Sequence, residues 1–507
     1  MPSETTTARL DELIARHQAT IEMLVPRHGL PLHLFFIEEM ITNAQAFQTT
    51  LKDRYKHGTV AFAVKANPCR GAIRAAQRLG LGADVASEYE LRASLEEGID
   101  PATIICNGNA KSTAYIDMAL HTGALIAADN ADEIRLLEQR ASDTASVARV
   151  LVRFRGMPLA GLTSADQTTA ADWTKFGFHI DEAEHVFSWI GKSTCLELYG
   201  MSAHIGTQIA DPIGYRLLFE HVFRLAKLAA QLGFPIQCID IGGGFPVAFL
   251  TSEQWEQFTA RLLTRVRSNA ATSAAESITW NDLPMGYAHV DRQPTPQPRW
   301  IGKSYWSAFP ASAMLAQILE QQLGSGDTVL DRLRAIGSPR LIVEPGRSLM
   351  ATAGITLATA TGVKKVLGHH VVSLDMGINN HGTNLISPDI FPAAVLPRKA
   401  SDRPIEAFFA GRLCFSGDMI TKAKIPLNRL PIPGERCVVY HTGAYSADHF
   451  ASNSCGFPRP AKVAVRPDGT VELWRPAERF ADVFGSKSDR LTIPETPVGG
   501  LRSAETR

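Results

Sequence analysis

The chain has no surplus of charge of either sign: 51 Lys and Arg stand against 51 Asp and Glu over 507 residues. Without a basic field, nucleic acid and anionic lipid are poor partners, and small molecules or proteins are expected instead. No stretch approaches the roughly 18 apolar residues of a membrane span, and the opening MPSETTTARLDELIARHQ carries acids and arginines where a secretion signal needs an apolar core. Cysteine is sparse. The seven (69, 106, 195, 238, 414, 437, 455) form no CxxC pair and sit near no histidine at ligand spacing, which argues against a structural zinc site, and no metal is expected. Reduced thiols in a soluble, cytoplasmic protein fit this pattern. GxGxxG and GK[ST] are missing too, so neither the dinucleotide fingerprint nor the phosphate loop of nucleotide-binding proteins is present.

What the chain does have is short apolar runs, each ending in small or polar residues. They are TVAFAVK (59–65), GADVAS (82–87), TIICNG (103–108), ALIAADN (124–130), ARVLVRFR (148–155), LYGMSAHIG (198–206), IQCIDIGGG (236–244) and RLIVEPG (340–346). Segments of helical period such as GAIRAAQRLG and EYELRASLEEG lie between the early ones. Strands buried on both faces and alternating with helices predict a parallel sheet, and eight such units predict an α/β fold closed as a (β/α)8 barrel. Past residue 349, segments such as HHVVSLDMG, IEAFFAG, ERCVVYHTG and TVELWRP are separated by Pro, Gly and Asn turns without long helices, which predicts an antiparallel β-barrel or sandwich domain. The expected organisation is an N-terminal segment, 1–32, packing with the β domain; a barrel over 33–348; a β domain over 349–490; and a disordered tail over 491–507. Residues 249–339 are too long for one crossover, so an insertion at about 265–320, a candidate lid, is expected.

In such a barrel the C-terminal strand ends converge on one face. Lys65, Asp84, Ser87, Asn107, Arg153, His204, Gly242, Gly243, Gly244, Glu344 and Arg347 would share it. The bland alternative is a set of solvated turns, yet a lone lysine after an apolar run is expensive unless it is solvated or used. The glycines of IDIGGGFPV let backbone N–H groups approach a phosphate, and Thr207 and Arg347 could add contacts. An amine, a phosphate cradle and a strand-end carboxylate without metal ligands point to pyridoxal 5'-phosphate.

These residues carry a resemblance. AFAVKANP, DVASEYEL, CNGNAKS, KFGF, HIGTQ, DIGGGFP, EPGRS, CFSGD and GAYSADHF follow, in order, the motifs of the fold-type III pyridoxal-phosphate decarboxylases, the ornithine, arginine and diaminopimelate decarboxylase group whose barrel is shared with alanine racemase. The resemblance covers roughly residues 30–250 and 335–465. It implies an amino-acid decarboxylase in which Lys65 is the Schiff-base lysine and proton carrier, His204 stacks on the pyridine ring, and Glu344 pairs with the pyridine nitrogen. Gly242, Gly243, Gly244, Thr207, Arg347 and Tyr445 would hold the phosphate. It further implies a homodimer in which Cys414 reaches the partner's site to protonate Cα, with Asp375 and Asp418 near the substrate.

The chain also departs from that pattern. The family's acid after the cysteine, which binds a distal amine, is Phe415, and the proline two before it is Arg412. The Arg-Pro pair that binds the distal carboxylate in diaminopimelate decarboxylases has only Ser387-Pro388 as its nearest match. A substrate other than ornithine or meso-diaminopimelate is expected, with a distal end that is apolar, or anionic and paired with Arg412. An amino-acid racemase on the same barrel and a non-catalytic cofactor-binding homologue with a protein partner remain the alternatives.

Overall fold

The computed structural model describes residues 6–157, 169–268, 273–289, 297–382 and 390–486. Eight parallel strands form the barrel: β2 (Gly58–Ala63), β3 (Gly82–Val85), β4 (Ile104–Cys106), β5 (Leu125–Ala128), β6 (Ala148–Arg155), β7 (Leu196–Ser202), β8 (Cys238–Asp240) and β9 (Arg340–Val343). Each pairs with the next and β9 closes on β2. The eight apolar runs of the sequence are these strands. Their period of two explains why they read as continuous apolar runs: Ala61, Ile105, Leu125, Ala127, Leu151, Cys238 and Ile342 plug the interior, while alternate residues such as Phe62, Ala83 and Val150 pack outward with the main core.

The second domain is built from β1 (Leu32–Phe36), β10 (Gly354–Val366), β11 (His369–Leu374), β12 (Ala393–Leu396), β13 (Ile405–Ala410), β14 (Ile425–Leu427), β15 (Arg436–Tyr440), β16 (Lys462–Val465) and β17 (Val471–Arg475). Its ladders are antiparallel except β1 with β16 and β11 with β13, which run parallel. The barrel therefore does not begin at residue 33. β1 pairs with residues 354–357 and 462–465, because LHLFF serves two cores at once. Leu32, Leu34 and Phe36 face the helices Ala8–Arg16 and Gln18–His28 through Leu10, Leu13, Ile21 and Leu24, and Phe35 turns to the other side and stacks on Trp474.

Between β8 and β9 the insertion adds the helix Ser252–Ser268, a hairpin pairing 287–289 with 298–300, and the helices Ser312–Glu320 and Val329–Ala335. Its described part is a strap. On one side the Trp280 N–H donates to the Lys422 carbonyl and the Lys424 N–H to the Ile278 carbonyl, Trp280 meets Phe408 edge-on, and Arg261 grips Glu406 with two bonds of 2.8 and 3.1 Å. On the other, Gln208 Nε2 donates to the Ser304 carbonyl and Ser307 Oγ to that of Ala210. No described helix is long and apolar enough to cross a membrane. Ser387-Pro388 and the tail 491–507 lie outside the described residues.

Candidate active site

The strand ends meet at one mouth of the barrel. Lys65 stands in a 3-10 turn directly after β2, half-buried, and its amine is paired with the fully buried Asp84 at the end of β3. No carboxylate lies near Lys65 in sequence; the neighbouring strand supplies it. The amide of Asn107, following β4, donates to Asp84 Oδ1 at 2.8 Å and to Glu344 Oε1 at 2.7 Å, so one side chain joins three strand ends. Burial works to lower the Lys65 amine, but the charges of Asp84 and Glu344 and the bond to Asp84 outweigh it and hold it above its ordinary range. Glu344 is pushed up, first by burial and then by the negative charges of Asp240 and Asp84.

His204 follows β7. Its Nδ1 accepts the Gly243 N–H at 3.0 Å, and its carbonyl accepts the Thr169 hydroxyl. Burial, then the charges of Lys65 and Arg153, push it down to about 3, so the imidazole is neutral. Between that value and the ordinary 6.5 of an unfolded histidine, the unfolded chain binds a proton that the folded chain refuses. The stability this group contributes is therefore complete above about pH 6.5 and falls as pH is lowered through the window. Relative to the wild type, a His204→Gln variant is expected to gain stability as pH falls from 7 to 5, by up to about tenfold in the unfolding constant per pH unit. Urea midpoints at the two pH values check this; a constant difference between the proteins would refute it.

The glycine turn lies tight against the histidine. Gly242 and Gly244 have φ of +66° and +91°, and a Cβ on Gly242 would fall 2.4 Å from His204 Nδ1. A side chain there is barred both by conformation and by space. Opposite, Tyr445 comes from the β domain, its N–H bonded to the Ala66 carbonyl at 2.8 Å and its ring 5.0 Å beneath the Arg347 guanidinium.

Lys65, His204, Thr207, Gly243, Gly244, Glu344, Arg347 and Tyr445 line one cleft with about 380 Å³ of free space, its open mouth included. The buried Arg347 Nε and Ser348 hydroxyl at this cleft have no hydrogen-bond partner among the described residues, as donors reserved for an anion would. An amine, an anion cradle bordered by glycine backbone, a neutral ring and a buried carboxyl fit pyridoxal phosphate. Such a mouth defines a pyridoxal-phosphate enzyme of the (β/α)8 class.

Comparison with known proteins narrows the class. Residues 38–280 match the family model of the pyridoxal binding domain of pyridoxal-dependent decarboxylases. The chain is 26% identical to the y4yA protein of Sinorhizobium fredii, covering 90% of this chain and 92% of the relative. It is 26% identical to the diaminopimelate decarboxylase of Bacillus subtilis, covering 91% and 92%. The structure of diaminopimelate decarboxylase from M. jannaschii with L-lysine superimposes with a TM-score of 0.73 at 21% identity over 93% of this chain and 94% of that one. The lysine/ornithine decarboxylase of Vibrio vulnificus with putrescine gives 0.62 at 21% identity over 88% and 97%, a likeness of fold. The chain is a pyridoxal-phosphate-dependent amino-acid decarboxylase, similar at 26% identity to the diaminopimelate decarboxylases.

Other residues singled out in the sequence sit elsewhere. Ser87 caps the helix Glu88–Glu96 by accepting the Glu90 N–H. Arg153 is buried over Phe176 and 3.9 Å from Asp129. Gly242 stands just behind the cleft. Asp375, Arg412, Cys414, Phe415 and Asp418 do not line it. Asp375 accepts the Thr359 N–H at 2.8 Å, and Asp418 accepts those of Ile378 and Leu413 at 2.6 and 2.7 Å. Asp418 thus spends both oxygens on pinning the loop after β13, while Cys414 and Phe415 (53% exposed) project from that loop. Arg412 stacks on Phe457 at 3.8 Å, with its Nε buried and unpartnered among the described residues. Asp240, two residues before the glycines, was not singled out; its position at the end of a strand beside a glycine turn is the signal that could have found it.

Proposed function

We propose that the enzyme decarboxylates an amino acid that is neither ornithine nor meso-diaminopimelate, in a homodimer whose subunits share active sites. The observation that carries this is the division of the chemical residues: Lys65, His204, Glu344, Arg347 and Tyr445 converge on one cleft, whereas Cys414 projects outward on a pinned loop.

Bound in the cleft, pyridoxal phosphate supplies the electron sink that lets CO2 leave Cα. Lys65 carries the cofactor and moves protons at Cα. The glycine turn, Thr207, Arg347 and Tyr445 would hold the phosphate, and the neutral His204 would pack against the ring. Glu344 holds a proton at the ring nitrogen, which deepens the sink; by the family resemblance an arginine there marks a racemase, so the acid favours decarboxylation. Cys414, from the second subunit, protonates Cα after CO2 has left.

Arg412 and Phe415 flank that thiol and face the distal end of the substrate. A distal ammonium against Phe415 would lose its partner, at about 1–3 kcal/mol or more. A distal anion would instead meet Arg412, whose guanidinium, lowered by burial despite Asp375 and Asp418, has no ion pair of its own among the described residues. The test is incubation of cofactor-loaded enzyme in D2O with acidic, apolar and basic amino acids, read by mass spectrometry. The expected product is an amine lacking CO2 and carrying one carbon-bound deuterium, from an acidic or apolar substrate. With an acidic one, Arg412→Ala is expected to raise KM about 10- to 100-fold. Family-like rates on diaminopimelate would refute the specificity, and an intact amino acid deuterated at Cα would replace decarboxylation with racemisation.

A further inference from the structure

Asp240 ends β8, is 1% exposed, and has no part in the chemistry assigned above. Its carboxyl sits behind Glu344. Ser202 Oγ donates to its Oδ2 at 2.9 Å and the Gly242 N–H to its Oδ1 at 2.8 Å. The Glu344 N–H donates to the Gly242 carbonyl at 2.9 Å, and the negative charge of Asp240 pushes the Glu344 carboxyl up. Two buried carboxyls at the ends of paired strands disfavour ionising together, so one of them holds a proton. The donors are divided unequally. Among the described residues Asp240 receives two, Glu344 only the Asn107 amide. Bonds to a charged form favour that form, so the charge settles on Asp240 and the proton on Glu344. The other titratable groups facing the pair are Asp84 from β3, Lys65 from the turn after β2, and the buried Cys238 thiol of β8.

We propose that Asp240 is a positioning residue whose negative charge keeps a proton on Glu344, the group from which the ring nitrogen of the bound cofactor takes it up. The inference rests on the placement of Glu344 at that nitrogen. On transfer the O–H bond of Glu344 breaks and an N–H bond forms. Glu344 becomes a carboxylate, Asp240 remains one, and the charge of Asp240 strengthens the hold of the Glu344 and nitrogen pair on the proton. A buried partner thus tunes the group that touches the cofactor, as outer-sphere carboxylates tune ligating histidines.

The measurement is the pH titration of the 15N chemical shift in holoenzyme reconstituted with pyridoxal phosphate labelled at the ring nitrogen. In Asp240→Asn the ratio of protonated to unprotonated nitrogen at a fixed pH is expected to fall about tenfold, a midpoint shift of about one pH unit. Ser202→Ala is expected to give a smaller shift in the same direction. Without the serine donor Asp240 becomes more basic and draws the proton from Glu344. In a Glu344→Gln background, Asp240→Asn is expected to change nothing further. A wild-type titration in Asp240→Asn overturns the proposal, and so does an equal shift in the Glu344→Gln background, since Asp240 would then act without Glu344. Should Asp240→Asn fail to fold, Ser202→Ala decides alone, and an unshifted midpoint there overturns it. A Glu344→Gln variant that binds cofactor with an unchanged titration removes Glu344 from the nitrogen, which is a separate failure from that of Asp240.

Discussion

Lys65→Ala is expected to reduce turnover by at least about a thousandfold and to abolish covalent attachment of the cofactor. In the wild type, borohydride reduction should fix pyridoxal phosphate to the peptide containing Lys65, and the mass of that peptide reads the attachment directly. The variant has a second effect that must be separated from the first. Asp84 is fully buried and paired with this amine, so its removal leaves Asp84 with the Asn107 amide alone, an uncompensated charge in the barrel mouth. Lys65→Arg keeps a cation for Asp84 while removing the amine nucleophile. Both variants should be inactive, with Lys65→Arg the better folded by circular dichroism and thermal melting. Retained attachment in either variant would show that another amine carries the cofactor.

The second large effect concerns the outward loop. Cys414→Ala alone should lose about a hundredfold in kcat with KM little changed, because the thiol acts after substrate is bound. Mixing it with Lys65→Ala, under conditions where subunits exchange, should restore activity to about a quarter of the wild type. Half of the dimers are then mixed, and each mixed dimer has one site with both Lys65 and Cys414 intact. Within one chain Cys414 does not line the cleft, and its loop is tied down by Asp418, whose carboxylate accepts the Leu413 and Ile378 N–H groups. No recovery on mixing, with exchange verified by differently tagged subunits, would place Cys414 outside the reaction.

The barrel was legible because burial on both faces writes a strand as an apolar run with a polar end, and the polar ends are where chemistry is done. Lys65, His204 and Glu344 could therefore be read as a group before any contact was known. β1 could not be placed, because LHLFF carries the same apolar signature while half of it serves the N-terminal helices and half the opposite face. β10 was missed for the opposite reason. Its outer half, residues 362–366, is largely solvent-facing and lysine-bearing, so it lacks the apolar signature of a strand. The partners of the acids were also hidden: Asp84 lies 19 residues from Lys65 and Asp240 lies 104 from Glu344, and only the pairing of β2 with β3 and of β8 with β9 makes them neighbours. Phe415 and Arg412 were legible as departures, but their use depends on a second copy of the chain.

The strap between β8 and β9 ties together parts that fold theory would treat as separate. It bonds to Gln208 and Ala210 beside Thr207 of the cleft and to the β11 to β14 edge of the other domain, and so links the two. If Thr207 and Arg347 capture the cofactor's phosphate as proposed, the free energy of that capture would be shared with the far domain: cofactor loss would then loosen both the barrel mouth and the β sheet.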